Sequence, residues 1–216
     1  MKWTPNKSYM WREYQKELID VQRKIQYIDD FDGLYNKAFW EKRTIRPFDY
    51  YGKIITELFE IKSMVDFGCG IGPYLVGALQ GGAKKVLGFE KGFEIGKEYI
   101  PKNIIDHIKY GDVGELIDCG KWDCVLSIEV AEHLLPDEVS IYMENLINAS
   151  SRLIIMSTSP KRSMYHLNPQ YKSYWIHRFK ECNIEYSGMK TLRLVNALKN
   201  IKARRYLIDY IMVFEV

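Results

Sequence analysis

Between residues 62 and 160 the chain alternates short apolar runs with stretches of helical periodicity, and that rhythm excludes most folds. The apolar runs cover Ser63–Phe67, Lys85–Glu90 and residues 104–110, 123–128 and 152–157. Helical stretches fall at 73–80, 92–100 and 137–148. Strand and helix in this alternation predict a parallel, doubly wound sheet with helices on both faces. Such sheets bind their ligands outside the carboxyl ends of the strands. The residues just beyond each run are therefore the first candidates for a site.

Outside that stretch the pattern changes. Trp11, Tyr14, Leu18, Val21, Ile25 and Ile28 recur at spacings of three and four, which predicts an amphipathic helix over residues 8–30. We read it as packed across the domain or the mouth of its site, with a homodimeric coiled coil as the alternative. Tyr51, Ile54, Ile55, Leu58 and Phe59 predict a second helix over 48–60. After Ser159 come a polar loop, a helix over 171–181, a strand over 183–186 and a closing run, 206–216, rich in β-formers. Two closing strands after a parallel set predict a mixed sheet with an antiparallel edge hairpin. The 216 residues read as one domain, residues 1–47 forming a helical N-terminal extension.

Composition narrows the class. No apolar run approaches the roughly 18–20 residues that span a bilayer, and the first ten residues are too polar for a signal peptide. The four cysteines form no C-x-x-C pair, which suits free thiols in a reducing, cytoplasmic setting. Charge is uneven: residues 160–216 carry 11 basic and 4 acidic side chains, while residues 62–159 carry 9 and 14. A basic C-terminal quarter can attract a phosphate-bearing or nucleic-acid partner, although solvated surface charge explains it as simply.

The most specific motif is Val65-Asp66-Phe67-Gly68-Cys69-Gly70-Ile71-Gly72-Pro73, where the first strand ends and a helix begins. Glycines at alternate positions let the backbone approach a ligand closely. A dinucleotide fingerprint would place glycine at position 73, where this chain has proline. Asp66 repels phosphate but can accept hydrogen bonds from an ammonium group. The second run ends in Glu90, placed to take ribose hydroxyls, and the third is followed by Asp112 and Val113, placed to meet an adenine amino group and ring.

VDFGCGIG, GFE, GDV and WDCVLSIEVAEHL resemble, in order, the motifs of the class I S-adenosylmethionine-dependent methyltransferases. The resemblance covers roughly residues 48–160 by motif order. It implies a Rossmann-like, mostly parallel sheet of seven strands in the order 3-2-1-4-5-7-6, the last antiparallel. It implies S-adenosylmethionine as cofactor. On this reading Asp66 holds the methionine amino group, and Phe67, Gly68, Cys69, Gly70 and Gly72 form the cofactor loop. Glu90 takes the ribose, Asp112 and Val113 meet adenine, and Ile128 with Glu129 lies under the cofactor.

Glu129, Glu132 and His133 follow the fourth strand directly, and a helical turn there places Glu129 on one face with Glu132 or His133. Such a group can act as a base or ligate a divalent ion. The stretch resembles the corresponding segment of ubiquinone-pathway O-methyltransferases and the metal site of small-RNA 3′-end 2′-O-methyltransferases, and it also occurs in relatives with no metal. We take Glu132 and His133 as the catalytic candidates, without a metal, and His166 and Tyr174 as substrate-side residues. Trp175 and Phe179 read as core.

The function expected is methyl transfer to an oxygen or nitrogen of a small-molecule or sugar-containing acceptor. A nucleic-acid methyltransferase is the second enzyme reading, but Ser127-Ile128-Glu129-Val130 stands where adenine-amino enzymes carry an Asn/Asp-Pro-Pro-aromatic tetrapeptide. A non-catalytic subunit of the same fold is the third. We expect a monomer or homodimer.

Overall fold

The computed structural model describes residues 37–44, 49–161, 163 and 166–216. The helix expected over 8–30 lies outside the described residues. The elements are α1 (Lys37–Thr44), α2 (Asp49–Phe59), β1 (Ser63–Phe67), α3 (Pro73–Gln80), β2 (Lys85–Glu90), α4 (Phe93–Gly96), β3 (Ile108–Tyr110), β4 (Trp122–Ser127), α5 (Val139–Ala149), β5 (Ser150–Met156), α6 (Lys172–Glu181), β6 (Glu185–Tyr186), α7 (Gly188–Asn200), α8 (Arg205–Tyr210) and β7 (Met212–Glu215).

The sheet has seven strands in the order β3-β2-β1-β4-β5-β7-β6. Pairs β1–β2, β1–β4, β2–β3 and β4–β5 are parallel, and β7 runs antiparallel to both β5 and β6. This is the order that the resemblance implied.

Strand side chains alternate between faces, and the two apolar clusters follow that alternation. Met64 and Leu153 with Ile155 pack on one face against Ile55 of α2, Leu75 of α3 and Leu194 of α7. Val65, Phe67, Ile154 and Met156 pack on the other against Tyr142 of α5 and Trp175 and Phe179 of α6. Trp175 and Phe179 are core, as expected.

Three local expectations are corrected, and one helix was not foreseen. The third strand is shorter than expected, because residues 105–107 form a 3-10 turn and only Ile108–Tyr110 pairs with β2. The helix expected over 92–100 is split into α4 and a 3-10 turn at 97–99. Residues 205–210 are helical, so the closing strand is only Met212–Glu215: Leu207 and Ile211, four apart, bury together on the α7 side. Helix α7 itself went unread, although Thr191, Leu194, Val195 and Leu198 have helical spacing.

Candidate cofactor and acceptor site

The glycine loop is built on β2. The N–H groups of Gly68 and Cys69 both donate to the Phe89 carbonyl, at 2.8 and 3.0 Å, so the loop turns back over the neighbouring strand. Gly72 closes it at φ 77° and caps α3, with Pro73 in the first helical turn. A Cβ at Gly72 would collide with the side chains of Ile104 and Ile108. This chain needs glycine there for both conformation and space.

Two carboxylates stand at the strand tips. Asp66 is 1% exposed, and its Oδ2 is buried with no hydrogen-bond partner. Burial, reinforced by the Glu90 carboxylate, pushes its pKa well above the usual range. A buried polar atom without a partner is expensive and calls for a ligand or a proton. Glu90 is tied to the loop: Oε2 accepts from Gly70 N–H and Oε1 from Gly92 N–H, each at 2.8 Å. Burial raises its pKa, while those two bonds and the Arg43 charge pull it back.

Asp112 accepts from Gly114 N–H at 2.9 Å through Oδ1 and pairs with Lys91 at 2.6 Å through Oδ2. Val113, next to Asp112 in sequence, and Ile128, next to Glu129, are both buried. The Phe67 ring is fully buried and stacks on Phe89, so its side chain serves the core and only its backbone belongs to the loop. Cys69 is buried too, with its thiol turned toward Gly88.

Helix α1 adds a wall that the sequence reading did not foresee. The Trp40 indole is 1% exposed and stands against Gly96, and 3.6 Å from where a Gly70 Cβ would lie. Arg43, one turn on, supplies the positive charge felt by Glu90.

The second half of the site follows β4. Glu129 adopts φ 57°, a left-handed conformation uncommon for a residue other than glycine, which Glu60, Asn183 and Lys202 also take at turns. Ser157, just past β5, holds it: Glu129 N–H donates to Ser157 Oγ at 2.9 Å, and that hydroxyl donates to Glu129 Oε1 at 2.7 Å. Residues 131–133 form a single 3-10 turn. The Glu129 and Glu132 carboxyls come close enough to share a proton, and burial with their mutual repulsion raises the Glu132 pKa well above normal. Glu132 is 0% exposed, and neither of its oxygens meets a donor from the rest of the protein.

His166 reaches this turn through its loop. Asn168 N–H donates to the Glu132 carbonyl at 2.9 Å, and the Asn168 side-chain amide reaches the Ala131 carbonyl at 3.5 Å. The rings of His133 and His166 meet edge to face with centroids 5.1 Å apart. Donor atoms of Glu132, His133 and His166 all lie within 4.8 Å of one another. The His166 Nδ1–H donates to the Lys161 carbonyl at 2.6 Å.

Tyr174 does not belong to this group. Its ring packs on Trp175, and its hydroxyl accepts from Arg178, which also reaches Ser140 on α5. Ser157 and Asn168 are the positioning residues that sequence reading missed. Their signal is the hydroxyl run Ser157-Thr158-Ser159 at a strand end, all three buried, and the polar loop His166-Leu167-Asn168.

No family model matches the sequence, and no curated protein does. Solved structures do. The plantazolicin methyltransferase BpumL, in complex with SAH, superposes with a TM-score of 0.61 at 15% identity, covering 95% of this chain and 98% of that one. Magnesium protoporphyrin IX methyltransferase (ChlM) from Synechocystis PCC 6803, with bound SAM, gives 0.55 at 17% identity over 100% and 99%. The chain has the class I methyltransferase fold. The mitomycin 7-O-methyltransferase MmcR gives 0.57 at 16% identity over 82% of this chain, which spans 62% of that enzyme.

Proposed function

We propose that the chain is an S-adenosylmethionine-dependent methyltransferase that methylates an oxygen or nitrogen of a small-molecule or sugar-containing acceptor. The observation that carries this reading is Asp66: a buried carboxylate with an unpartnered oxygen, beside a glycine loop that Glu90 clamps from the next strand. An ammonium group satisfies that oxygen and neutralises the charge that burial disfavours. The methionine end of S-adenosylmethionine carries one.

The remaining contacts follow the strand tips. The backbone of Gly68, Cys69, Gly70 and Gly72 lies along the ligand. Each Glu90 oxygen accepts one backbone N–H and keeps a second lone pair for a ribose hydroxyl. Asp112 and Val113 face adenine, with Lys91 holding Asp112 in place. Ile128 and Glu129 lie under the cofactor. Bound S-adenosylmethionine supplies an electrophilic methyl on sulfur, so this chain's task is to align an acceptor and relieve it of a proton. Glu132 and His133, with His166 facing them, take that role.

The similar structures include enzymes named for small-molecule and natural-product substrates, a porphyrin and a mitomycin among them, which supports a small acceptor. Among the described residues no helix is long and apolar enough to cross a membrane. All four cysteines are free, as suits a reducing cytoplasm.

Calorimetric titration with S-adenosylhomocysteine, with NAD as the control ligand, tests the reading. Micromolar binding of the first and none of the second is expected. Equal binding of both, or of NAD alone, overturns it.

A further inference from the structure

We propose that Arg204 and Tyr206 form a binding site for a carboxylate or phosphate group, and that the acceptor carries such a group. The site stands on its own geometry; its assignment to the acceptor rests on the methyltransferase reading.

The structure separates one cation of the basic C-terminal quarter from its neighbours. Lys199, Lys202 and Arg205 are exposed, and Arg205 pairs along α8 with Asp209 at 3.4 Å. Arg204 is half-buried. A partly desolvated guanidinium attracts an anion more strongly than a solvated one, because the local dielectric is lower and water competes less. Its planar fork of N–H donors matches the oxygens of a carboxylate or phosphate two at a time.

Tyrosines fix its place. Arg204 Nη1–H donates to the Tyr206 hydroxyl at 3.5 Å, with the guanidinium 5.9 Å from that ring's centre, and the Arg204 backbone N–H donates to the Tyr51 hydroxyl at 3.4 Å. The Tyr51 ring lies 6.0 Å from that of Tyr74, which stands in the first turn of α3, two residues past Gly72. Helices α2 and α3 meet there through backbone, since a Cβ at Gly52 would run into the Tyr74 carbonyl. Arg204 is thus tied, through two rings, to the helix that follows the glycine loop.

Electrostatics link the same group to the second half of the site. The phenols of Tyr74 and Tyr206 both feel the Glu129 carboxylate, and Tyr74 feels Asp66 as well. An acceptor lying among Asp66, Glu129 and Glu132 has any anionic substituent repelled by them. Arg204 offers that substituent a cation along the tyrosines, and the Tyr206 hydroxyl, which accepts from Arg204, still has its own proton to donate. Complementary charge of this kind fixes which way a ligand lies.

The test uses the full chain, with and without saturating S-adenosylhomocysteine, and three probes of similar shape. Phenylacetate and phenyl phosphate are the anions, aromatic to suit the phenol rings, and phenylacetamide is the uncharged counterpart. Calorimetric titration is expected to show at least one anion binding roughly tenfold or more tightly than the amide, and the better of the two tells carboxylate from phosphate. Arg204→Gln removes that preference, Arg204→Lys keeps the charge without the fork and retains part of it, and Arg205→Gln leaves it unchanged. Tyr206→Phe keeps the ring and reads the same site without removing a charge: the anion weakens and the amide does not. Equal binding of anion and amide, no binding of either anion, or a preference that survives Arg204→Gln overturns the proposal. S-adenosylhomocysteine binding with no anion preference removes this site alone, whereas an Arg204-dependent preference in a chain that binds no S-adenosylhomocysteine leaves the site and removes the methyltransferase reading.

Discussion

The backbone N–H of Asn168 donates to the carbonyl of Glu132 at 2.9 Å, and this one bond fastens the loop after β5 onto the turn after β4. The Asn168 side chain, 3% exposed, completes the fastening: its amide reaches the Ala131 carbonyl, and its oxygen accepts from Gln170 at 3.0 Å. Gln170 O in turn receives the Thr158 hydroxyl, which accepts from the Trp175 indole at 3.1 Å. The pairing of His133 with His166 is thus anchored in the core under α6.

Asn168→Ala tests that anchoring. It leaves the Gln170 amide without its partner and loosens the loop, at a cost of about 1–3 kcal/mol. Thermal melting should register the loss, while S-adenosylhomocysteine affinity stays unchanged, because none of the contacts of Asn168 reaches the glycine loop.

Asp66→Asn separates stability from binding. Burial and Glu90 raise the Asp66 pKa, so its contribution to stability is full below the unfolded value and is lost as pH rises through the folded one. Above that window the variant melts higher than the unliganded parent, by about 1 kcal/mol or roughly 2–4 °C. Parent affinity for S-adenosylhomocysteine rises with pH across the same window, since an ammonium partner requires the carboxylate. In the variant, affinity is weak and flat with pH. Melting curves and titrations from pH 4 upward measure both, and a variant that binds as the parent does removes Asp66 from the site.

The first half of the site was legible because it is written in consecutive residues. Asp66, the glycines and Pro73 specify a strand end, a tight loop and a helix start, and Ser63–Phe67 and Pro73–Gln80 form as read. Glu90 needed only the next strand's register, Phe67 against Phe89. The second half depends on a loop whose path is set by contacts far apart in sequence, such as Asn168 to Glu132, and no local spacing announces those. Residues 205–210 were misread for a related reason. Tyr206, Leu207, Ile208 and Tyr210 have strand composition, but burial of Leu207 with Ile211 against α7 selects the helical period.

Glu90→Gln asks how the carboxylate acts. Both its oxygens accept backbone N–H groups, from Gly70 and Gly92. Glutamine has one acceptor oxygen and an NH2 that faces the other donor, so one loop amide loses its partner. The expected cost is about 1–3 kcal/mol, felt in S-adenosylhomocysteine affinity because the side chain that loses an acceptor oxygen is the one that clamps the glycine loop at Gly70. A calorimetric affinity for S-adenosylhomocysteine equal to that of the parent would show that Glu90 neither shapes the loop nor meets the ribose.

Trp40→Ala probes the wall contributed by α1. The indole is nearly fully buried against Gly96 and flanks Gly70, and its helix also carries Arg43, whose charge favours ionised Glu90. Truncation opens a cavity beside the glycine loop and frees α1 to shift, so two supports of the Glu90 carboxylate weaken together. Affinity for S-adenosylhomocysteine should fall by roughly tenfold, equivalent to about 1.4 kcal/mol, alongside a lower melting temperature. Trp40→Phe keeps a ring in the space and should recover much of both. If truncation lowers the melting temperature but leaves affinity intact, α1 supports the fold without shaping the cofactor pocket.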